Sequence, residues 1–142
     1  MGRRNPLHDR LMADPRALIL FQGPQAYVSP AHAGRRDWGP TWNYAQLSIT
    51  AEMRFLPEET GNALDALIAV MEGAETPWHT AELGDRYHGM AQAIIAFRAQ
   101  VTGVSGRFKL GQDERRDTFD HIVAHHQDGA LVRWMQRFDR ER

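Results

Sequence analysis

Apolar and polar residues alternate without a break from Ala45 to Phe55. Side chains on a β-strand point alternately to its two faces, so this period of two predicts a strand with one face on a core. Pro57 ends the strand and opens a helix that Gly73 closes. The core-facing stripe of that helix is expected to be Leu64, Leu67, Ile68 and Met71.

Two further regions predict strands beside this one. Arg16–Gln22 is a short apolar run bounded by Asp-Pro and Gly-Pro pairs, and Ala26–Ser29 continues it as a second short strand or a bend. Ile95–Thr102 alternates again and is followed by a turn flanked by two glycines. Arg107–Leu110 is then expected to return as a hairpin partner.

The rest of the chain predicts helices. Glu75–Ala93 is expected to form a loop and a short helix. Asp113 is expected to cap a helix, which the Asp128-Gly129 pair separates from a last one. The inner stripes of these two helices are Phe119, Ile122, Val123 and His126, then Leu131, Trp134, Met135 and Phe138. The order predicts an α+β fold with antiparallel pairing, as a single domain over residues 1–142.

The composition excludes several classes of protein. The chain has no cysteine, which excludes disulfides, thiolate metal sites and cysteine nucleophiles. The net charge of -1 gives no field that attracts nucleic acid or a membrane surface. No apolar run reaches the length of a membrane span, and the first residues lack the apolar core of a signal peptide. We therefore expect a cytoplasmic protein that binds neither membrane nor nucleic acid.

The segment Gly23–Tyr44 carries three prolines, four aromatic residues and one histidine, and it shows no helical period. Prolines and aromatic side chains are rigid, and aromatic surfaces line small-molecule pockets. The sequence therefore predicts that this segment is a loop that builds a ligand or cofactor site.

Four segments resemble the PaiB-like family of FMN-binding split barrels: Arg3–Pro6 (RRNP), Phe21–Pro30 (FQGPQAYVSP), Pro40–Tyr44 (PTWNY) and Phe108–Asp113 (FKLGQD). The Pro77-Trp78 pair fits as well. The resemblance implies a split β-barrel of antiparallel strands with peripheral helices. Family members carry residues before the first motif, so the chain is expected to be N-terminally shortened and completed as a homodimer.

Departures from the family pattern point to a particular branch. The family has an aromatic pair where this chain has Ala31-His32-Ala33, and KLSQN where this chain has KLGQD. A shortened chain with a new loop histidine resembles the haem-dependent piperazate synthases. That resemblance implies an enzyme with haem b that closes N5-hydroxy-ornithine to piperazic acid, with formation of an N–N bond and loss of water. The alternative is a PaiB-like transcriptional regulator or flavin-binding protein with FMN, and a third possibility is a barrel that serves only for dimerisation.

The resemblance also implies roles for individual residues. His32 is the expected iron ligand, with His88 and His79 as second choices. Arg35 and Arg36 are expected to pair with haem propionates or a phosphate. Trp38, Trp42 and Asn43 are expected to border the cofactor, and Lys109, the one lysine of the chain, is expected to meet an anionic group together with Gln112. The catalytic base is sought among Tyr27, Tyr44 and Lys109.

Each of these residues also has an ordinary structural interpretation, such as a solvated arginine or a tryptophan that anchors the loop. A separate set, Asp117, His121 and His125, has the spacing of metal ligands on one helix face. Ligands from one helix alone make a poor site, so we do not expect a metal there. His126 is expected to be a hydrogen-bonded core residue.

Overall fold

The computed structural model describes residues 1–73 and 78–140. Over these residues it shows one three-stranded antiparallel sheet in the order β1-β2-β3, with six helices. The strands are β1 (Arg16–Val28), β2 (Thr41–Phe55) and β3 (Phe97–Lys109). The helices are α1 (Pro6–Ala13), α2 (Pro30–Ala33), α3 (Thr60–Glu72), α4 (Arg86–Gln92), α5 (Arg116–His125) and α6 (Gly129–Arg140). Short 3-10 turns cover Pro57–Glu59 and Thr80–Leu83.

The α+β class and the antiparallel pairing are confirmed. The predicted strand from Ala45 is correct and begins earlier, at Thr41. Gly73 ends α3 as predicted, with φ of 71°. The predicted inner stripe of α3 is only partly covered, since Leu67 and Met71 are more than half exposed.

The predicted hairpin after residue 102 is wrong, because β3 runs straight through Gly103 and Gly106. A Cβ at Gly103 would lie 2.6 Å from the Thr50 hydroxyl, so this glycine permits close approach of β2 rather than a turn. The separate strands predicted at 16–22 and 26–29 are likewise one strand, β1.

Two helix predictions and one loop prediction also need correction. Asp113 does not cap α5, whose N-cap residue is Arg115 without a side-chain cap bond. His126 lies just past the end of α5 rather than on its inner stripe.

The segment 23–44 is not one loop, because its ends are strand and its middle is the helical turn α2. Helix α1 was not predicted, although Asn5 caps it and Pro6 stands at its first position. Pro77 and the start of the predicted loop at 75 lie outside the described residues.

The chain divides into two compact units, and each strand has residues in both. The first unit comprises Met1–Leu18 and Thr50–Gly103. Its buried apolar side chains are Leu11, Ala51, Leu56 and Ile95. The backbone N–H of Ile95 donates to the carbonyl of Met1 at 2.8 Å, which ties the N-terminus to this core.

The second unit comprises Ile19–Ile49 and Val104–Arg142. Helices α5 and α6 contribute buried side chains to the core of this unit, and the Asp128 carboxylate caps the start of α6 by accepting the N–H groups of Ala130 and Leu131. The predicted stripe of α6 is confirmed for Leu131 and Met135, which are fully buried. The core of this unit is Val28, Ala33, Leu110, Phe119, Ile122, Leu131 and Met135.

Candidate functional site

The sequence Ser29–Ala33 folds as a single capped helical turn. The Ser29 hydroxyl accepts the N–H of His32 at 3.3 Å, and the His32 Nδ1 accepts the N–H of Ser29 at 3.2 Å. Pro30 occupies the first helical position, where no N–H is needed. Gly34 ends the turn with φ of 67°, a conformation that disfavours any residue with a Cβ. This reciprocal capping fixes the imidazole of His32 against its own backbone.

Other histidines surround His32. The rings of His32 and His126 have centroids 4.6 Å apart. His126 Nε2 lies 3.1 Å from the Tyr27 carbonyl, and its Nδ1 accepts the N–H of Asp128 at 3.1 Å. Burial lowers the pKa of His32 below its usual value, and positive charge on His126 or His125 lowers it further. The shift favours the neutral form of the His32 ring.

His121 links α5 to the capped turn. Its Nδ1 lies 2.8 Å from the His32 carbonyl, so this nitrogen carries the proton and donates. Its ring fills the space next to Gly34, where an added Cβ would stand 2.7 Å from the imidazole. His125 stacks on His121 at 3.9 Å and directs its own Nδ1 to the His121 carbonyl. Residues 1–73 and 78–140 contain no group of three or more side chains placed to hold a metal ion.

The hydrogen bonds of His32 bear on its expected role as an iron ligand. Its Nδ1 accepts a hydrogen bond, so in the neutral ring the proton sits on Nε2. A histidine that binds iron presents an unprotonated nitrogen and donates the N–H of the other. His32 has the reverse arrangement, because its unprotonated nitrogen, Nδ1, already accepts a hydrogen bond and its other nitrogen, Nε2, carries the proton. His32 as placed therefore does not fit an iron ligand.

The second-choice histidines belong to the first unit. His79 is exposed, and its backbone N–H donates to the Glu82 carboxylate at 3.1 Å. His88 is exposed on α4 with its ring edge toward Tyr87. His79 lines a pocket of about 410 Å³ that mixes apolar side chains, Ile68 and Trp78, with the carboxylates of Asp65 and Glu72.

Two of the predicted cofactor contacts are structural. The Trp38 indole N–H donates to the Glu114 carboxylate at 3.0 Å, and its ring packs on the core of the second unit. Asn43 is only 1% exposed, and its amide nitrogen lies 3.7 Å from the Met135 sulfur. Trp38 therefore anchors the loop, and Asn43 presents no polar edge to a ligand on the surface.

Tyr27 and Trp42 form an exposed aromatic pair. Tyr27 lies at the end of β1 and is 48% exposed, and Trp42 lies at the start of β2 and is 51% exposed. Their ring centroids are 6.4 Å apart. Tyr44 is half-buried and shares a face of β2 with Trp42, because it lies two residues further along the strand. Among the tyrosines and tryptophans predicted for the site, Tyr27 and Trp42 are exposed, whereas Trp38 and Tyr44 are half-buried.

Lys109 and Gln112 stand at the end of β3. The Lys109 ammonium donates to the hydroxyl of Thr41, the residue directly before Trp42. The Gln112 amide accepts the N–H of Leu110 and donates to the carbonyl of Phe108 at 2.6 Å. Lys109 thus places a cation beside the start of β2, whereas Gln112 is used in closing the strand end.

Arg35 and Arg36 border an open pocket of about 390 Å³ with Pro30, Ala31 and Gly34. The Arg35 guanidinium holds Asp37 in a two-point pair, with contacts of 3.2 and 3.0 Å. This pairing raises the pKa of Arg35 and lowers that of Asp37. Arg36 is exposed. Arg35 would have to exchange Asp37 for a ligand anion.

Sequence reasoning missed the residues that fix the site, namely Ser29, Gly34, Thr41, Glu114 and Asp128. The Ser-Pro pair at positions 29 and 30 is a helix-start signal that could have indicated α2. Thr41 and Glu114 carry no comparable signal, since their partners lie 68 and 76 residues away in the chain.

Comparison with known proteins gives two results. Residues 1–103 match the model of a family described as "Putative FMN-binding domain". The chain is also similar to Protease synthase and sporulation protein PAI 2 of Bacillus subtilis (strain 168), with 24% identity over 124 residues. That alignment covers 84% of this chain and 58% of the relative, so the chain spans less than two thirds of the relative's length.

The match confirms the expected family, and the open antiparallel sheet with its helices is consistent with the split-barrel fold of that family. Within the described ranges, no helix combines the length and the apolar character needed to cross a membrane. The matched residues contain the aromatic pair and the capped turn. The chain belongs to the PaiB-like family of FMN-binding domains.

Proposed function

We propose that this protein binds FMN, with the flavin ring system against Tyr27 and Trp42. The observation that carries the proposal is the exposure of this pair, since two neighbouring aromatic rings half open to water offer a surface on which a flat ring can stack. A flavin is a flat aromatic group that stacks on such a surface. The match of residues 1–103 to an FMN-binding family supports the same cofactor.

Lys109 and Thr41 are the proposed holders of the FMN phosphate. An ammonium and a hydroxyl side by side supply the donors that a phosphate accepts, and Thr41 directly precedes Trp42. The phosphate would replace part of the present contact between the two side chains. Bound FMN supplies one- or two-electron redox chemistry, while these residues bind and orient it.

Fluorescence titration tests the proposal. Free FMN is fluorescent and is quenched when an aromatic ring stacks on it, so a dissociation constant follows from the quenching curve. We expect Trp42→Ala to weaken FMN binding about tenfold or more, which corresponds to the loss of one aromatic contact. Trp78→Ala, a tryptophan of the first unit, is the matched control. Equal affinity of the two variants would show that the flavin does not use the aromatic pair.

The haem-dependent piperazate synthase is the second candidate. The observation in its favour is a half-buried His32 among small residues, next to a pocket with Arg35 and Arg36 that could pair with propionates. Iron binding by His32 would require its hydrogen bonding to change. Its Nδ1 must release the Ser29 N–H and become a donor. The substrate would then be N5-hydroxy-ornithine, with Tyr27, Tyr44 or Lys109 as the base.

Absorption spectra separate the two candidates. A Soret band on reconstitution with haemin that is lost in His32→Ala would support the haem enzyme. Flavin bands that stay with the protein through gel filtration, and that are unchanged in His32→Ala, would support FMN. We expect the second result, since the capped turn leaves His32 without a free nitrogen lone pair.

We also propose a regulatory role for the FMN-bound protein. The Bacillus relative is named for protease synthesis and sporulation, and a comparable role here would make FMN occupancy the signal. The expected result is that the FMN-loaded protein shows no steady consumption of NADH or NADPH. A sustained rate of consumption would show that it acts as an oxidoreductase instead.

We propose that the protein forms a homodimer, in which the second chain covers apolar side chains that are exposed on the sheet. In the second unit, Leu20 and Phe21 on β1 and Val104 on β3 are each more than half exposed. These strands are the two edges of the sheet, and an exposed apolar edge strand favours pairing with another chain.

A further inference from the structure

A second pocket, of about 510 Å³, lies within the first unit. Its apolar lining comes from α1, from the end of β2 and from the segment before β3, through Leu11, Met12, Phe55 and Ile95. Leu11 and Ile95 are buried, whereas Met12 is 65% exposed. The pocket is therefore an open cleft with buried apolar side chains in its lining, and clefts with apolar linings are common small-molecule sites.

The walls of the pocket are fixed by backbone hydrogen bonds. The N–H of Arg3 donates to the Ala93 carbonyl at 2.9 Å, and the N–H of Met53 donates to the Pro15 carbonyl at 2.8 Å. The His8 ring packs at a tilt of 41° against the Phe55 ring, with centroids 4.6 Å apart. A ligand would thus meet a site that is already formed, so little ordering is lost when it binds.

Two arginines line this pocket without an acidic partner. Across residues 1–73 and 78–140, neither Arg3 nor Arg54 has a carboxylate within ion-pair distance. In the same unit Arg16 pairs with Asp14 and Arg98 pairs with Glu59, whereas three arginines that do not line the pocket, Arg4, Arg10 and Arg86, have no ion pair within the described ranges either. The two guanidinium groups are therefore available to an anion.

No carboxylate is among the described residues that line this pocket. His8 lines the pocket, and its Nδ1 lies 3.1 Å from the Asp9 carboxylate. The Asp9 side chain is 92% exposed and does not line the pocket. We infer that this pocket binds a small amphiphilic anion, with an apolar body against Phe55 and Ile95 and one carboxylate or phosphate on Arg3 and Arg54. The site goes beyond the proposed flavin function and uses none of its residues.

Isothermal titration with octanoate tests this inference on the full chain. Octanoate is expected to bind, whereas 1-octanol, which has the same chain without the charge, is expected to bind at least about tenfold more weakly. Inorganic phosphate alone is expected to bind weakly, because it lacks the apolar body. If octanol binds as tightly as octanoate, the site is an apolar surface only and the inference is wrong.

Variants place the binding in the pocket. Arg54→Gln and Arg3→Gln are each expected to weaken octanoate about five- to tenfold, and the double variant is expected to abolish binding. Arg86→Gln, an exposed arginine on α4 of the same unit, is the matched control and should bind as the parent does. Arg54→Lys keeps the positive charge, so it shows whether the loss of charge causes the weaker binding. Thermal unfolding of each variant shows whether the fold is lost. Octanoate binding that is unchanged in the double variant would overturn the assignment.

Two further probes complete the test. Monooctyl phosphate in place of octanoate shows whether a phosphate or a carboxylate head group is preferred at the two arginines. In NMR spectra, octanoate is expected to shift the resonances of His8, Phe55 and Met12. Resonances that move only in the second unit would contradict the inference. FMN titration in the presence of octanoate should give an unchanged affinity, so failure of one proposal does not decide the other.

Discussion

The Nδ1 atom of His32 accepts a hydrogen bond from the backbone N–H of Ser29, three residues earlier in the chain, at 3.2 Å. The Ser29 hydroxyl returns the contact by accepting the N–H of His32. In a usual capping box the third helical position is Glu or Gln, and here a histidine takes that place. The helical turn is therefore held by an imidazole, a group that gains a positive charge on acidification.

This contact predicts a pH-dependent stability. The pKa of His32 is lowered in the folded state, so the unfolded state binds the proton more readily. The contribution of neutral His32 is fully present above its unfolded pKa of 6.5 and is lost as the pH falls from there through the lowered folded pKa. We expect the free energy of unfolding in urea to fall between pH 8 and pH 5.

His32→Gln isolates this contribution, because glutamine can accept the Ser29 N–H without titrating. The acid-induced loss of stability should be smaller in His32→Gln than in the parent, since the carboxylates titrate equally in both. An exposed histidine, changed as His88→Gln, should leave the pH dependence unaltered. The same loss in the parent and in His32→Gln would mean that His32 plays no part in it.

Gly34→Ala is expected to destabilise the protein by about 2 kcal/mol or more. A residue with a Cβ at φ of 67° costs about 1–2 kcal/mol, and this Cβ would also stand 2.7 Å from the His121 ring. Gly39→Ala is the control, since nothing lies within 4 Å of the added atom, and it should change stability by less than about 1 kcal/mol.

A double variant separates the two causes. In Gly34→Ala with His121→Ala, the steric part of the cost should disappear, so the two changes should not be additive in urea unfolding. Strict additivity would show that His121 does not pack on Gly34.

The central strand and α3 could be predicted because their signals are local. The alternation from Ala45 to Phe55 and the stop at Gly73 depend only on neighbouring residues. The straight path of β3 could not be predicted, since Gly103 meets a residue of another strand, Thr50. A glycine that permits close approach looks the same in a sequence as one that makes a turn.

The candidate site was less predictable than the fold. At the start of β2, the aromatic Trp42 faces outward and the amide of Asn43 faces the core, which is the reverse of the usual polarity. The sequence analysis predicted both as site residues. The contact between the Asn43 amide and the Met135 sulfur shows that Asn43 faces the core, so only Trp42 is available to a ligand. Helix α2 has four residues, which is too short for any helical period to appear.

Lys109→Met is expected to lower the affinity for FMN but not for riboflavin, which lacks the phosphate. If Lys109 and Thr41 hold the phosphate, the variant should bind FMN about tenfold more weakly and riboflavin as the parent does. Arg107→Gln, an exposed cation on the same strand, is the matched control and should leave both affinities unchanged. Fluorescence quenching measures both affinities for the parent and for each variant, and an equal loss for both flavins would remove Lys109 from the phosphate site.

Leu20→Lys is expected to convert a homodimer to a monomer. Leu20 is 54% exposed on β1, an edge strand, and a charge there would have to be buried if two chains paired through this edge. Val70→Lys, on the most exposed apolar residue of α3, should leave the dimer intact if the sheet edge is the contact. Sedimentation velocity over a range of protein concentrations measures both variants against the parent. A parent chain that stays monomeric at every concentration would refute the proposed dimer, and dissociation by Val70→Lys instead of Leu20→Lys would move the contact from the sheet to α3.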